Sequence, residues 1–176
     1  MKKRCLYCLL ILTLLGGCAT QKKVVDNTFY CSSPKLEIEV SPEFDYVGEK
    51  SYLKNQKERA EGREVTISRK YFIFQAPDRV LAITLAEAPR DTTWLAPNFD
   101  GVIGRVEEGK LKLGGQQYYY CTYKTGPYIE RTYMRNAKGA TVQIMIVYRE
   151  RALKTKSEEE QLRLFHTNCA AAFTVR

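Results

Sequence analysis

The sequence predicts an α+β domain, a twisted antiparallel β-sheet with a C-terminal helix packed on one face. Three observations carry that expectation. Apolar and polar residues alternate through several segments between Leu36 and Tyr148, the period of half-buried strands. Turn-forming residues separate those segments at hairpin distances. After Ser157 the apolar spacing lengthens to that of a helix. A closed barrel with an external helix would use the same elements and is the second reading.

In chain order, Leu36, Ile38 and Val40 alternate with Lys35, Glu37 and Glu39, a strand that Pro42 ends. A weaker strand runs through Phe44 and Tyr46 towards Tyr52. The charged stretch Lys54 to Arg63 has no apolar face and is expected as a loop or solvated helical turn. Glu64 to Gln75 and Val80 to Ala86 form the clearest hairpin of the first half, turning at Ala76-Pro77-Asp78. Pro89 to Gly104, with the single Trp94, is irregular. Lys110 to Leu113 and Gln116 to Tyr123 flank Gly114-Gly115 as a bent hairpin. Tyr128 to Arg135 and Ala140 to Tyr148 make the last hairpin, with Val142, Ile144, Ile146 and Tyr148 on one face. Ser157 and Glu160 have capping-box spacing, and Glu158, Glu159 and Glu160 suit the positive end of a helix. Leu162, Phe165, Cys169, Ala172 and Phe173 then form the stripe that meets the sheet.

The chain of 176 residues has room for one ordinary domain, and its 44% hydrophobic and 11% aromatic content excludes intrinsic disorder. The N-terminus qualifies that length. Lys2, Lys3 and Arg4 precede an apolar run from Cys5 to Leu15, broken only by Thr13, and then Gly16 and Gly17. A basic start, a run too short to span the roughly 20 residues of a bilayer crossing, and a small-residue exit describe a secretory signal.

Leu15-Gly16-Gly17-Cys18 resembles the lipobox of bacterial lipoproteins. The resemblance covers the signal only. It implies cleavage before Cys18, a diacylglycerol on the Cys18 sulfur, and acylation of the new amino terminus. Several acyl chains together make membrane release very slow. Ala19 after Cys18, where an Asp would retain a lipoprotein at the inner membrane, implies the periplasmic side of the outer membrane. The expected organisation is therefore residues 1–17 as signal, 18–33 as lipidated N-terminus and short tether, and 34–176 as a single periplasmic domain. A flexible tether of this length reaches roughly 20 Å. Removing Lys2, Lys3 and Arg4 lowers the formal net charge from +8 to +5. That surplus suits anionic headgroups or acidic envelope polymers, and with export it argues against nucleic acid as a partner.

Three cysteines remain in the expected domain, and an oxidising compartment favours a disulfide between two of them. Cys31 with Cys169 is the preferred pairing, because domain termini are often close, and Cys121 with Cys169 is the alternative. A single His leaves little scope for catalysis. His166 and Cys169 are three residues apart on the helix, but Cys169 points to the core and His166 lies at the edge of the stripe. Asp91, Asp100, Glu107 and Glu108 read as surface acids in loops, without calcium-loop spacing. Gly114-Gly115 lacks the residues of a phosphate loop, and no cofactor or metal is expected. Arg149, Arg151, Lys154 and Lys156 form the densest basic run, read as a solvated connection to the helix. Phenols crowd neighbouring strands, and Tyr118, Tyr120, Tyr128 and Tyr133 are the candidate binding surface. The expected role is a non-enzymatic binding or envelope-assembly module with an envelope protein or ligand as partner. A carrier of a small apolar ligand between sheet and helix is the alternative, and an envelope hydrolase is the least favoured.

Overall fold

The structure, a computed structural model, describes residues 21–57, 64–89, 92, 94–137, 139–153 and 157–176. The signal, Cys18, Asp91, Lys154, Lys156 and the end of the expected loop at Lys54 to Arg63 lie outside the described residues. Strands follow one another as β1 (Lys22–Val25), β2 (Thr28–Ser32), β3 (Lys35–Val40), β4 (Asp45–Lys57), β5 (Glu64–Ala76) and β6 (Arg79–Glu87). After the irregular segment come β7 (Arg105–Leu113), β8 (Gln116–Thr125), β9 (Tyr128–Ala137) and β10 (Ala140–Arg149). A short 3-10 turn, Glu150–Ala152, leads to helix α1 (Glu158–Ala172) and a final strand, β11 (Phe173–Val175).

These strands form two antiparallel sheets, one in the order β1-β2-β3-β11 and the other in the order β4-β5-β6-β10-β9-β8-β7. The expected α+β class is corrected: with 63% strand and 13% helix among the described residues, the fold is closer to a β-sandwich. The helix is not the sole cover of the large sheet. It shares that face with a second sheet built from the expected strand β3 together with segments expected as tether and helix end.

The local reasons are specific. Asp26 and Asn27, both at positive φ (47° and 58°), join β1 and β2 in a two-residue turn, the conformation whose twist matches a hairpin. At the other terminus, Phe173 is fully extended and leaves the helix to pair with Val40. The Ser157 hydroxyl accepts from the Glu160 amide at 3.2 Å, closing the expected cap. Gly114 has a positive φ of 54°, and a Cβ there would lie 2.8 Å from the Val175 carbonyl oxygen. The β7-β8 turn can therefore press against the C-terminus only without a side chain.

Between the sheets lies one continuous core. Phe72 and Phe74, Leu81, Ile83 and Leu85, and Val142, Ile144, Ile146 and Tyr148 face inward from β5, β6 and β10. Phe29, Leu36, Ile38, Val40, Phe173 and Val175 meet them from the small sheet, with Phe29 4.6 Å from Phe72 between ring centres. Helix α1 adds Phe165, Cys169 and Ala172. Each large apolar side chain buried here contributes about 1.5–3 kcal/mol relative to exposure.

Candidate functional site

Two places on this frame collect polar chemistry or exposed contact area. The first is where α1 crosses the inner face of β7, β8 and β9. Pairing of Tyr133 with Tyr120, Arg131 with Thr122, and Glu107 with Thr122 places these residues on that face. A bulge at Val106 ends the regular ladder directly beside Glu107. Gly109 stands opposite Tyr120, and a Cβ there would lie 3.0 Å from its ring. The bare glycine lets the ring lie across β7, so that the Tyr120 hydroxyl donates to Glu107 Oε1 at 2.7 Å.

Arg131, only 5% exposed, organises the rest. Its Nε donates to Thr122 Oγ1 at 2.7 Å and its Nη2 to Glu107 Oε2 at 2.8 Å. Its guanidinium lies 5.0 Å from the Tyr120 ring centre and 5.5 Å from that of Phe165. From α1, His166 Nε2 is 3.0 Å from both Glu107 Oε2 and Arg131 Nη2. Burial and the adjacent Arg131 lower the His166 pKa, against the opposing pull of Glu107. A neutral ring serves either neighbour, donating to the carboxylate or accepting from the guanidinium. This cluster fastens the helix to the sheet.

The cluster carries a pH prediction. Because the folded state holds His166 below its ordinary 6.5, the unfolded chain binds the proton first as pH falls. Stability is full above about pH 6.5 and declines below it as the unfolded state gains protons. Urea midpoints measured between about pH 5.5 and 7.5 should fall for the wild type and stay flatter for His166→Gln. Equal slopes would show that His166 does not couple.

The catalytic combination of His166 and Cys169 is absent. Cys169 is fully buried, its hydroxyl neighbour is Tyr133, and burial pushes its thiol up to about 12, so no thiolate forms near neutral pH. Cys31, Cys121 and Cys169 are all free and buried, and the expected disulfide is not present among them. Cys121, paired with Thr132, lies on the face of the large sheet opposite Thr122, whereas Cys169 packs on the inner side. A thiol reagent at pH 8 should leave these three thiols nearly untouched in the folded protein and titrate all three after unfolding. Rapid reaction of any of them in the native state would contradict their burial.

The expected tyrosine surface is also redistributed. Tyr118 and Tyr133 are buried, the first with its hydroxyl accepting from Arg135 Nε at 3.0 Å, the second against Cys169 and Phe173. Tyr120 is half-buried in the Glu107 cluster. Of these four, only Tyr128, 37% exposed, offers its ring to solvent. Neighbours on one strand point to opposite faces, and the inner face of β8 is the covered one.

Tyr128 marks the second place. It stands between a cleft of about 390 Å³ lined by Pro127, Arg149, Glu150 and Arg151, and a smaller one of about 140 Å³ reaching Val80 and Val147. Arg149 belongs to both clefts, which the sequence reading treated as part of a solvated connection. The missed signal for the first place was Glu107: extending the Leu113, Leu111 alternation backwards puts Gly109 and Glu107 on the same inward face.

Among the described residues, no group of three or more His, Cys, Asp or Glu is placed to hold a metal, and no helix is long and apolar enough to cross a membrane. No protein-family model, curated protein or solved structure matches the chain.

Proposed function

We propose that this chain is a lipoprotein of the outer membrane, anchored through Cys18 on the periplasmic side, and that its sandwich is a non-enzymatic binding module for an envelope protein. The lipobox and its basic, apolar lead-in support the anchor. The observation that carries the binding role is the exposed Tyr128, set between two clefts with an apolar flank of Val80 and Val147 and the cations Arg149 and Arg151. Aromatic and Arg side chains around a concave surface are the composition of interface anchors. The carrier alternative needs apolar space beneath the helix. There Phe165 and Cys169 are fully buried, and Phe165 meets Tyr148 edge-on at 5.5 Å. A hydrolase needs a nucleophile beside a base, and Cys169 is too deeply buried to serve.

A photoreactive phenylalanine in place of Tyr128, in cells making the lipidated protein, tests the reading. A discrete protein adduct is expected, lost when Val147→Asp is added and absent when the same probe replaces Thr174 on the small sheet. Absence of an adduct at position 128 would remove the binding role. Mass measurement of the Cys18 peptide tests the anchor separately.

A further inference from the structure

The sequence predicts a tether, but in the structure the chain is already fixed at Gln21. The Gln21 amide donates to Ser32 Oγ at 3.0 Å, and its carbonyl accepts from the Ser32 amide at 3.1 Å. Three peptide links separate Gln21 from Cys18 and span at most about 11 Å. The roughly 20 Å reach of the expected tether is taken up by β1 and β2. We propose that the end of the sandwich bearing Gln21 rests directly on the bilayer and that the groove beside it receives anionic phospholipid headgroups. This inference depends on lipidation of Cys18, as proposed above.

Charge and shape at that end fit a headgroup layer. A groove of about 540 Å³ opens beside Gln21, with Tyr30 and Leu36 in its wall and Lys23, Lys35 and Arg176 around it. Arg176 pairs with Glu37, the acid in the groove's lining, and with Glu39 just outside it, so the groove's positive surplus comes from the two lysines. Lys23 and Lys35 are exposed and remain for lipid phosphate, Lys23 lying 5.8 Å from the Tyr30 ring centre. A cation over a phenol at an interface leaves the ring at headgroup depth and the charge free to pair. Seating this end also fixes what points away. Lys22 contacts Glu87 at one end of β6, whereas Val80, paired with Val147 next to Tyr128, lies at the other. Seven residues of strand, roughly 23 Å, separate the two, so the Tyr128 clefts face the periplasm.

The test uses the lipidated chain in phosphatidylcholine vesicles with and without phosphatidylglycerol. A fluorophore is placed on Lys35→Cys, which leaves Lys23 as the headgroup cation, or, at the far end, on Thr125→Cys, and quenched by a headgroup-attached nitroxide. Quenching is expected at position 35 and not at 125, and phosphatidylglycerol should raise the docked-to-undocked ratio by roughly five-fold or more, the factor for one near-surface cation. Lys23→Glu should abolish that rise. Equal quenching at the two positions would overturn the seating, and indifference to phosphatidylglycerol or to Lys23→Glu would overturn the headgroup contact. A Cys18 peptide without diacylglycerol would overturn the anchor itself, whereas a lipidated peptide with no quenching at 35 would overturn this inference alone.

Discussion

Replacing Arg131 by alanine is expected to lower the unfolding free energy by about 3 kcal/mol, the lower part of the range for breaking a buried ion pair, because Glu107 keeps some contact with solvent. Three losses coincide. Glu107 keeps the Tyr120 hydroxyl but loses its countercharge, Thr122 loses the donor to a fully buried hydroxyl, and a hole opens between Tyr120 and Phe165. The melting temperature should drop by roughly 6–12 °C for a domain of this size. Arg131→Lys should recover little, since one ammonium cannot reach both Thr122 and Glu107 while stacking on the rings. The double variant Arg131→Met with Glu107→Gln should recover most of the stability, because the uncompensated charge is gone and the volume is kept. Urea unfolding of the four proteins checks the series. A loss below about 1 kcal/mol for Arg131→Ala would mean that the cluster does not hold the helix.

How much of this was legible depends on segment length and on which face is covered. The β5-β6 and β9-β10 hairpins could be read because long alternations flank the turns at Pro77-Asp78 and near Gly139. The helix start could be read because a capping box is a local signal, independent of tertiary packing. Of the small sheet only β3 could be read by period, because four residues in β1 and three in β11 are too few to show one. Its remaining cue was Asp26-Asn27, a residue pair that tolerates positive φ and so marks a tight hairpin. Missing it turned a second layer into a tether and the sandwich into an α+β fold. At the candidate sites the difficulty was orientation. Alternation shows that Tyr118 and Tyr120 share a face, but the cover over that face comes from residues far away in sequence, among them Phe173 and His166. Glu107 reads as a loop acid because the alternation legible in the sequence starts at Lys110, five residues after β7 begins.

Truncating Phe165 to alanine should have the larger effect, about 4 kcal/mol, within the range for removing a fully buried phenylalanine. Phe165 is the fully buried ring that α1 sends between Tyr148 and the Arg131 guanidinium. The loss has two parts. Transfer of the ring to solvent in the unfolded state disappears, and a void remains to the extent that β10 and α1 cannot close on it. Phe165→Leu fills much of that void and should cost well under half as much. The void has a use in deciding between functions. The cavity left between the Tyr148 ring and the Arg131 guanidinium has the shape of a ring and would accept a small aromatic molecule such as benzene, its face towards the cation as that of Phe165 is. Uptake of benzene, measured as a rise in melting temperature with ligand, is therefore expected for Phe165→Ala and not for the wild type. Stabilisation of the wild type by the same ligand would show that space exists beneath the helix with Phe165 in place, which would restore the carrier over the binding module.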